Sequence, residues 1–211
     1  KSMKKICLFA ILLMAALGAA AETHVSIVAA PQFDAGFGVR AGLDADFSIG
    51  NSKFSFVPGL YWSMRTNGLS MKESASGKEL FKATDRSHWL SVPLRFAFNI
   101  KKGSENCQTQ ILFGPYVAVG LGGTTTIKNT ETGIKDSSLG SFDKNGFYDR
   151  RFDVGLNVGV NFIIKRHFIV GLFGELGFVP LGNDMTHTIG GAFASAYTFN
   201  LGAGLNIGYR F

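Results

Sequence analysis

Cysteine is almost absent: the 211 residues hold two, Cys7 and Cys107. Cys7 falls in an N-terminal apolar run that reads as removable, and it sits at the start of that run rather than at a cleavage point, which excludes a lipid anchor. Cys107 alone cannot form an internal disulfide and reads as an incidental turn residue rather than a reactive thiol. Charge is scarce as well. Asp, Glu, Lys and Arg make up 17% of the chain, against about 25% in a typical soluble domain, so much of the outer surface is expected not to face water. Long hydrophobic runs are missing after residue 21, where nothing approaches the ~18 consecutive apolar residues of a membrane-spanning helix. A mature chain that crosses a membrane must then do so as a closed barrel, the other architecture that satisfies every backbone polar group. No solenoid repeat, low-complexity tract or linker divides the chain, which reads as one domain.

The N-terminus has the layout of a secretory signal: Lys4 and Lys5, an apolar core over residues 6–17, and Ala19-Ala20-Ala21 before Glu22. The expected organisation is a cleavable signal peptide at 1–21 and one barrel domain at 22–211. Cleavage would leave 18 Lys and Arg against 15 Asp and Glu, a net charge of +3 in place of +6. No nucleic-acid partner is implied.

What the chain has in quantity is phenylalanine, 20 residues, and glycine, 27, laid out with a period of two. From Tyr197 to Phe211 every second residue is apolar or aromatic, and the residues between them are polar or glycine. Successive side chains on a strand point to opposite faces, so an unbroken period of two means two unlike environments. The same alternation recurs at 37–47, 54–65, 90–100, 110–126, 152–164 and 168–181, and more weakly at 24–30. These segments predict an all-β fold, an eight-stranded antiparallel barrel. The connections alternate in length. Those at 49–53, 102–108 and 165–167 are short, those at 66–87, 128–149 and 182–195 long and polar, and 31–34 would be an unusually small first outer loop. Even strand number, short periplasmic turns and longer outer loops are the pattern of bacterial membrane barrels, and with eight strands both termini fall on the periplasmic side.

Alternation alone fits a soluble barrel equally well, so volume must decide. An eight-stranded barrel has an interior that side chains nearly fill, too small for Phe37, Phe54, Phe56, Trp62, Phe96, Phe98, Phe113, Phe162 and Phe199 together. The opposite faces carry mostly Gly, Ser and Asn, which suit a tight lumen. The rings, Phe47 among them, are therefore expected to face lipid, with Phe47, Phe54, Phe98, Phe162, Phe168, Tyr209 and Phe211 in a girdle near the short turns.

Taken together, Gly36-Phe37-Gly38-Val39-Arg40-Ala41-Gly42-Leu43, Ser91-Val92-Pro93-Leu94, Phe113-Gly114-Pro115-Tyr116, Asp153-Val154-Gly155-Leu156 and the closing Leu205-Asn206-Ile207-Gly208-Tyr209-Arg210-Phe211 resemble the PorT-like, porin-family outer-membrane barrels of Bacteroidota. The resemblance implies fold and location, the cell outer membrane, and little about activity. It also implies that Tyr209 and Phe211 form the terminal signal read by the barrel-assembly machinery during insertion. The expected partners are outer-membrane lipid, that machinery, and an extracellular or envelope protein.

Within the lumen, Arg40, Arg65, Arg95, Arg151 and Arg210 stand against Asp44, Asp46, Asp153 and Glu175. A buried charge without a partner is costly, so these nearly balanced groups are expected to pair across the lumen. Measured from the short turns, Arg40, Arg95 and Glu175 lie at similar heights, which predicts a pair between Glu175 and Arg40 or Arg95. A rigidifying plug is the preferred reading, and a narrow channel for small solutes is the alternative. His24, His88, His167 and His187 share no metal-ligand spacing, and the Gly120 to Gly123 run lacks the Lys and helix of a phosphate loop. No metal site or cofactor is expected. Ser87-His88 and Ser91 near the outer rim raise a third reading, a lipid-modifying enzyme, for which a base within reach of a nucleophile is required. The leading expectation is a non-enzymatic structural or adhesive role carried by the long outer loops.

Overall fold

In the computed structural model, which describes residues 23–34, 36–72, 79–101, 107–143, 146–181 and 199–211, the alternating segments close on themselves. Among the described residues there are nine strands: β1 (Thr23–Phe33), β2 (Phe37–Ser48), β3 (Phe54–Lys72), β4 (Glu79–Lys101), β5 (Cys107–Asn129), β6 (Lys135–Gly140), β7 (Phe152–Ile164), β8 (Phe168–Gly177) and β9 (Leu201–Arg210). The sheet runs β4-β3-β2-β1-β9-β8-β7-β5, and β4 pairs back with β5, so eight antiparallel strands make a closed barrel. β6 is a ninth strand outside the ring. It pairs with β5 over Thr124–Lys128, above the stretch Cys107–Val119 that pairs with β7. The expected signal peptide at 1–21, the third long loop at 182–195 and residues 197–198 of the expected last strand lie outside the described residues.

The outward faces carry the rings. Phe33, Phe37, Phe54, Phe96, Phe113, Phe152, Phe168 and Phe199 are all exposed, as are Leu172, Leu201 and Ile207. The apolar band is about the 9–11 residues per strand that a bilayer requires: it runs from Val25 to Phe33 on β1, from Phe54 to Trp62 on β3 and from Ile111 to Val119 on β5. The eight-stranded ring and most outward rings therefore follow the sequence expectation, but Phe47 does not: at the end of β2, between Thr23 and Phe56, it is buried at 5% exposure next to buried Asp46, so the alternation of exposure breaks there.

Three expectations change. β3, β4 and β5 reach 19, 23 and 23 residues, so most of the expected first long loop is strand. Above the band Leu69, Met71, Leu80, Phe81 and Ile127 are scattered among polar residues, and the unbroken period of two that marks a half-buried strand disappears. β6, inside the expected second loop, is six residues of KDSSLG and too short and polar to show a period. β1 continues through Pro31 and Gln32, with Phe33 opposite Phe37, which leaves only residues 34–36 to connect it to β2. The less regular alternation in 110–126 has a local cause. Trp89 pairs with Gly120 but His88 with Gly122, so Leu121 is an extra residue in β5 and the face presented by the strand switches there.

Two glycines make room for one ring. A Cβ at Gly42 would come within 2.5 Å of Tyr61, and one at Gly59 within 2.7 Å of the far side of the same ring. Tyr61 lies fully buried across the lumen because both neighbours are bare. Gly42→Val should therefore overpack this tier and cost about 1–3 kcal/mol, seen as a lower denaturant midpoint of the refolded barrel.

Candidate functional site

The lumen is filled in three tiers, each set by side chains that the two-residue period turns inward. Nearest the short turns, Gln110 donates to Asp46 at 2.9 Å and to Asn99 at 3.1 Å, Asn99 donates to Ser55 at 2.7 Å, and Asn206 donates to Asn161 at 3.1 Å. Arg210 stands 3.9 Å from Asp46.

In the middle tier, Asp44 accepts from Arg95 in a short ion pair and from the Tyr61 hydroxyl at 2.6 Å. The Arg40 guanidinium is sandwiched between two rings, 4.0 Å from the centre of Tyr61 and 3.8 Å from that of Phe173, and it donates to Glu175 at 2.9 Å. Stacking on two faces replaces hydration that a buried cation would otherwise lose. Glu175 also accepts from Asn157 at 3.1 Å and from Arg65 at 3.4 Å. It is the hub of the lumen, and its pairing falls to Arg40, one of the two arginines its height predicts.

The upper tier joins these charges to an aromatic plug. Arg65 lies over the Trp89 ring at 5.0 Å and 3.9 Å from Asp153, which accepts from the Tyr116 hydroxyl at 2.7 Å. Above them the segment following β6 folds down into the mouth. Phe147 and Tyr148 are buried against Trp89, Tyr116 and Leu181, and Phe142 stacks on Tyr148. The backbone holds this segment in place, because Tyr148 N–H donates to the Ser141 carbonyl at 2.9 Å and Asp149 N–H to that of Leu181 at 3.0 Å. Burial pushes the Tyr148 phenol up to about 12, so it stays neutral, and its hydroxyl oxygen accepts from the Asn67 amide and from the Ser87 hydroxyl at 3.3 Å. At the rim, burial also raises Asp34 above the ordinary carboxylate range, against the opposing pull of Arg65. The space remaining there is a cavity of about 200 Å³ beside Asp34, Arg65, Asn67 and Tyr148, smaller than the ~300–1,000 Å³ of sites for drug-sized molecules.

Arg40, Arg65, Arg95 and Arg210 thus meet Asp44, Asp46, Asp153 and Glu175 inside the barrel, four of each sign. Arg151 does not join them. It precedes the first residue of β7, so strand alternation does not reach it, and it is exposed with its guanidinium 5.1 Å from the Phe142 ring. The sequence reading missed Asp85, which is buried and accepts from Thr125 at 2.9 Å. Inward Tyr61, Trp89, Tyr116 and Phe173 were legible by parity alone, since each shares its phase with a lumen charge or serine on the same strand or across the ladder.

Ser87 and Ser91 are buried in the lumen, whereas His88 points the other way and stacks on Trp62 at 5.6 Å. Adjacent strand positions face opposite sides, so this serine and histidine do not form a nucleophile and base. His167, in the turn between β7 and β8, bonds through Nδ1 to the Arg210 carbonyl at 2.9 Å and stacks on Tyr209. Tyr209 and Phe211 both lie on the outward face, in edge contact at 5.2 Å. Among the described residues there is no cluster of three or more His, Cys, Asp or Glu that would hold a metal ion.

Residues 15–182 match the family model described as outer membrane protein beta-barrel domain. A search of curated proteins gave no match. Among solved structures, the chain is similar to a major outer membrane protein from Thermus thermophilus, at 14% identity and a TM-score of 0.52 over 90% of this chain and 100% of that one. It is also matched to Ail, the attachment invasion locus protein of Yersinia pestis, at 16% identity and a TM-score of 0.37 over 90% of this chain and 99% of that one. A third match is the N-terminal β-barrel domain of Pseudomonas aeruginosa OprF, at 11% identity, with a TM-score of 0.39 over 90% and 99%. The likeness to the Thermus protein is one of fold.

Proposed function

Because its match spans most of its length, the chain belongs to the outer membrane protein beta-barrel domain family, and from that premise we propose that it is a non-enzymatic surface scaffold. A plugged barrel in the outer membrane holds a rigid sheet outside it, for contact with an extracellular or envelope partner. Residues 1–21 serve as the export signal, and both termini of the mature barrel face the periplasm. The fragments around Arg40, Val92, Pro115, Gly155 and Tyr209 favour a place among the PorT-like barrels of Bacteroidota.

One observation carries the reading: three tiers of paired side chains fill the lumen below a small cavity at its rim, while β3, β4, β5 and β6 continue as a wall beyond the apolar band. β2 pairs with β3 only as far as Met64, and β6 ends the sheet order, so the wall stands on one side of the mouth with an edge at each end. Strand edges offer unpaired backbone groups to a partner. Gly68 and Thr84 face each other across β3 and β4. Replacing residues 69–83 by a two-residue Asn-Gly turn between them should therefore leave an assembled, heat-modifiable barrel that has lost binding to surfaces or cells. Undiminished binding by that variant would contradict the scaffold role of the hairpin.

The packed lumen disfavours the channel reading. Purified barrel in planar bilayers should give no large, stable single-channel steps, and such steps from the wild type would overturn the plug. The separation of Ser87 from His88 disfavours lipid modification, and the lipid A mass profile of cells should be the same with and without the protein.

A further inference from the structure

The outward face of the wall carries a row of cations that the fold itself sets side by side. Lys82 on β4 is directly opposite Lys128 on β5, and Lys128 is directly opposite Lys135 on β6. Directly opposed side chains on one sheet face have Cβ atoms about 5 Å apart, and like charges so placed destabilise the sheet. All three lysines are exposed, and none takes part in a salt bridge among the described residues. Asp136 alternates with Lys135 and lies at the inner register position, opposite Ile127. Glu131 is in the turn between β5 and β6. Toward the membrane, the next positions on this face are Thr84, Thr126 and Ser137, with the Thr126 and Ser137 hydroxyls 3.0 Å apart, and below them stands Arg86, exposed and opposite Thr124. Ammonium groups, a guanidinium and hydroxyls on one flat surface are the donor set that recognises phosphate.

The placement identifies the source of that phosphate. Lys82, Thr84 and Arg86 share their parity with His88 and Leu90, the first of which stacks on Trp62 at the upper edge of the apolar band. The face is thus continuous with the lipid-facing surface and looks sideways along the membrane, toward molecules standing beside the barrel in the same leaflet. Counted from Leu90, which pairs with Trp62, at about 3.3 Å per residue and a tilt of about 40°, Arg86 lies about 10 Å higher and the lysine row about 20 Å higher. A phospholipid head group extends only about 5–7 Å beyond the hydrocarbon, so it cannot reach the lysines. A glycolipid with anionic groups spread along its sugars can meet both levels.

We propose that this face binds the phosphorylated oligosaccharide of a surface glycolipid in the outer leaflet, with Lys82, Lys128 and Lys135 clasping its outer phosphates and Arg86 an inner one. The bound polyanion sets negative charge against three lysines that form no salt bridge among the described residues. This inference rests on the outer-membrane placement but not on the scaffold role, and its readout is lipid binding rather than adhesion.

The test uses the whole barrel in nanodiscs of zwitterionic phospholipid, titrated with fluorescent lipopolysaccharide bearing a phosphorylated core. Each lysine near an anionic surface is worth about a fivefold factor, so the variant Lys82→Gln, Lys128→Gln, Lys135→Gln should bind about 100-fold more weakly. The wild type should lose the same factor when the core is enzymatically dephosphorylated, and raised salt should weaken its binding. The variant keeps the barrel intact, and its thermal midpoint should be unchanged or higher because the opposed charges are gone. Equal binding by wild type and variant, or indifference to core phosphate, would overturn the proposal. So would preferential binding of a soluble sulfated polysaccharide over the glycolipid, which would make the occupant a glycan from outside.

Discussion

Glu175→Ala should cost the folded barrel about 3–5 kcal/mol, the usual penalty for removing one partner of a buried ion pair, read as a lower urea midpoint in detergent micelles. The magnitude follows from what is left behind. Glu175 accepts from Arg40, Arg65 and Asn157 at 2.9, 3.4 and 3.1 Å, and both arginines are at most 2% exposed. The Arg40 cation would keep its two aromatic faces but lose its counter-charge, and Arg65 would keep only the more distant Asp153. Removing both ends of the main pair is a different experiment. Arg40→Met with Glu175→Leu puts apolar volume where the pair stood, and such replacements of buried pairs are often neutral or stabilising. The double variant should recover most of the loss. A double variant as unstable as Glu175→Ala would mean that the tier depends on the charges themselves rather than on their mutual compensation.

Leu172→Arg is expected to cost about 2–4 kcal/mol in a lipid bilayer, because it places a cation at mid-depth on the lipid face of β8. Leu172 is 59% exposed and pairs with Val160 and Leu205, both within the apolar band. The same substitution at Phe178, near the outer end of the band, should cost only about 0–1 kcal/mol, since the penalty falls toward the interface. This depth dependence separates a membrane face from a hydrophobic surface of any other kind. Equal costs at the two depths, measured by reversible unfolding from lipid vesicles, would contradict the lipid-facing assignment of the rings.

The two-residue period made the barrel readable wherever the two faces differ. Between Phe152 and Ile164, or Leu201 and Arg210, one side is in lipid and the other in a packed lumen, and the sequence alternates accordingly. The same contrast placed Arg40, Asp44, Arg95 and Glu175 inside and let strand height narrow the partner of Glu175 to Arg40 or Arg95, of which the structure pairs it with Arg40. Legibility ended where the contrast did. Above the band Thr66 and Arg86 face water on one side and the mouth lies on the other, so strand and loop look alike in composition. Asp85 went unnoticed for that reason. Arg151 was misplaced because parity was extended one residue beyond the ladder, and the plug of Phe147 and Tyr148 depends on a loop folding back, which no local pattern encodes. The lysine row is a fact of register: Lys82, Lys128 and Lys135 are far apart in sequence, and only the pairing of β4, β5 and β6 makes them neighbours.

The claim on which the rest depends is that the ring-bearing face contacts acyl chains and the glycine and asparagine face encloses the lumen. It is tested most directly by spin labels at Leu172, Leu205 and Ile207, one at a time, in a Cys107→Ser background because Cys107 is exposed and unpaired. In lipid vesicles the labels should relax rapidly with dissolved oxygen and be shielded from a water-soluble nickel chelate. Labels that relax with the nickel chelate and ignore oxygen would contradict the account.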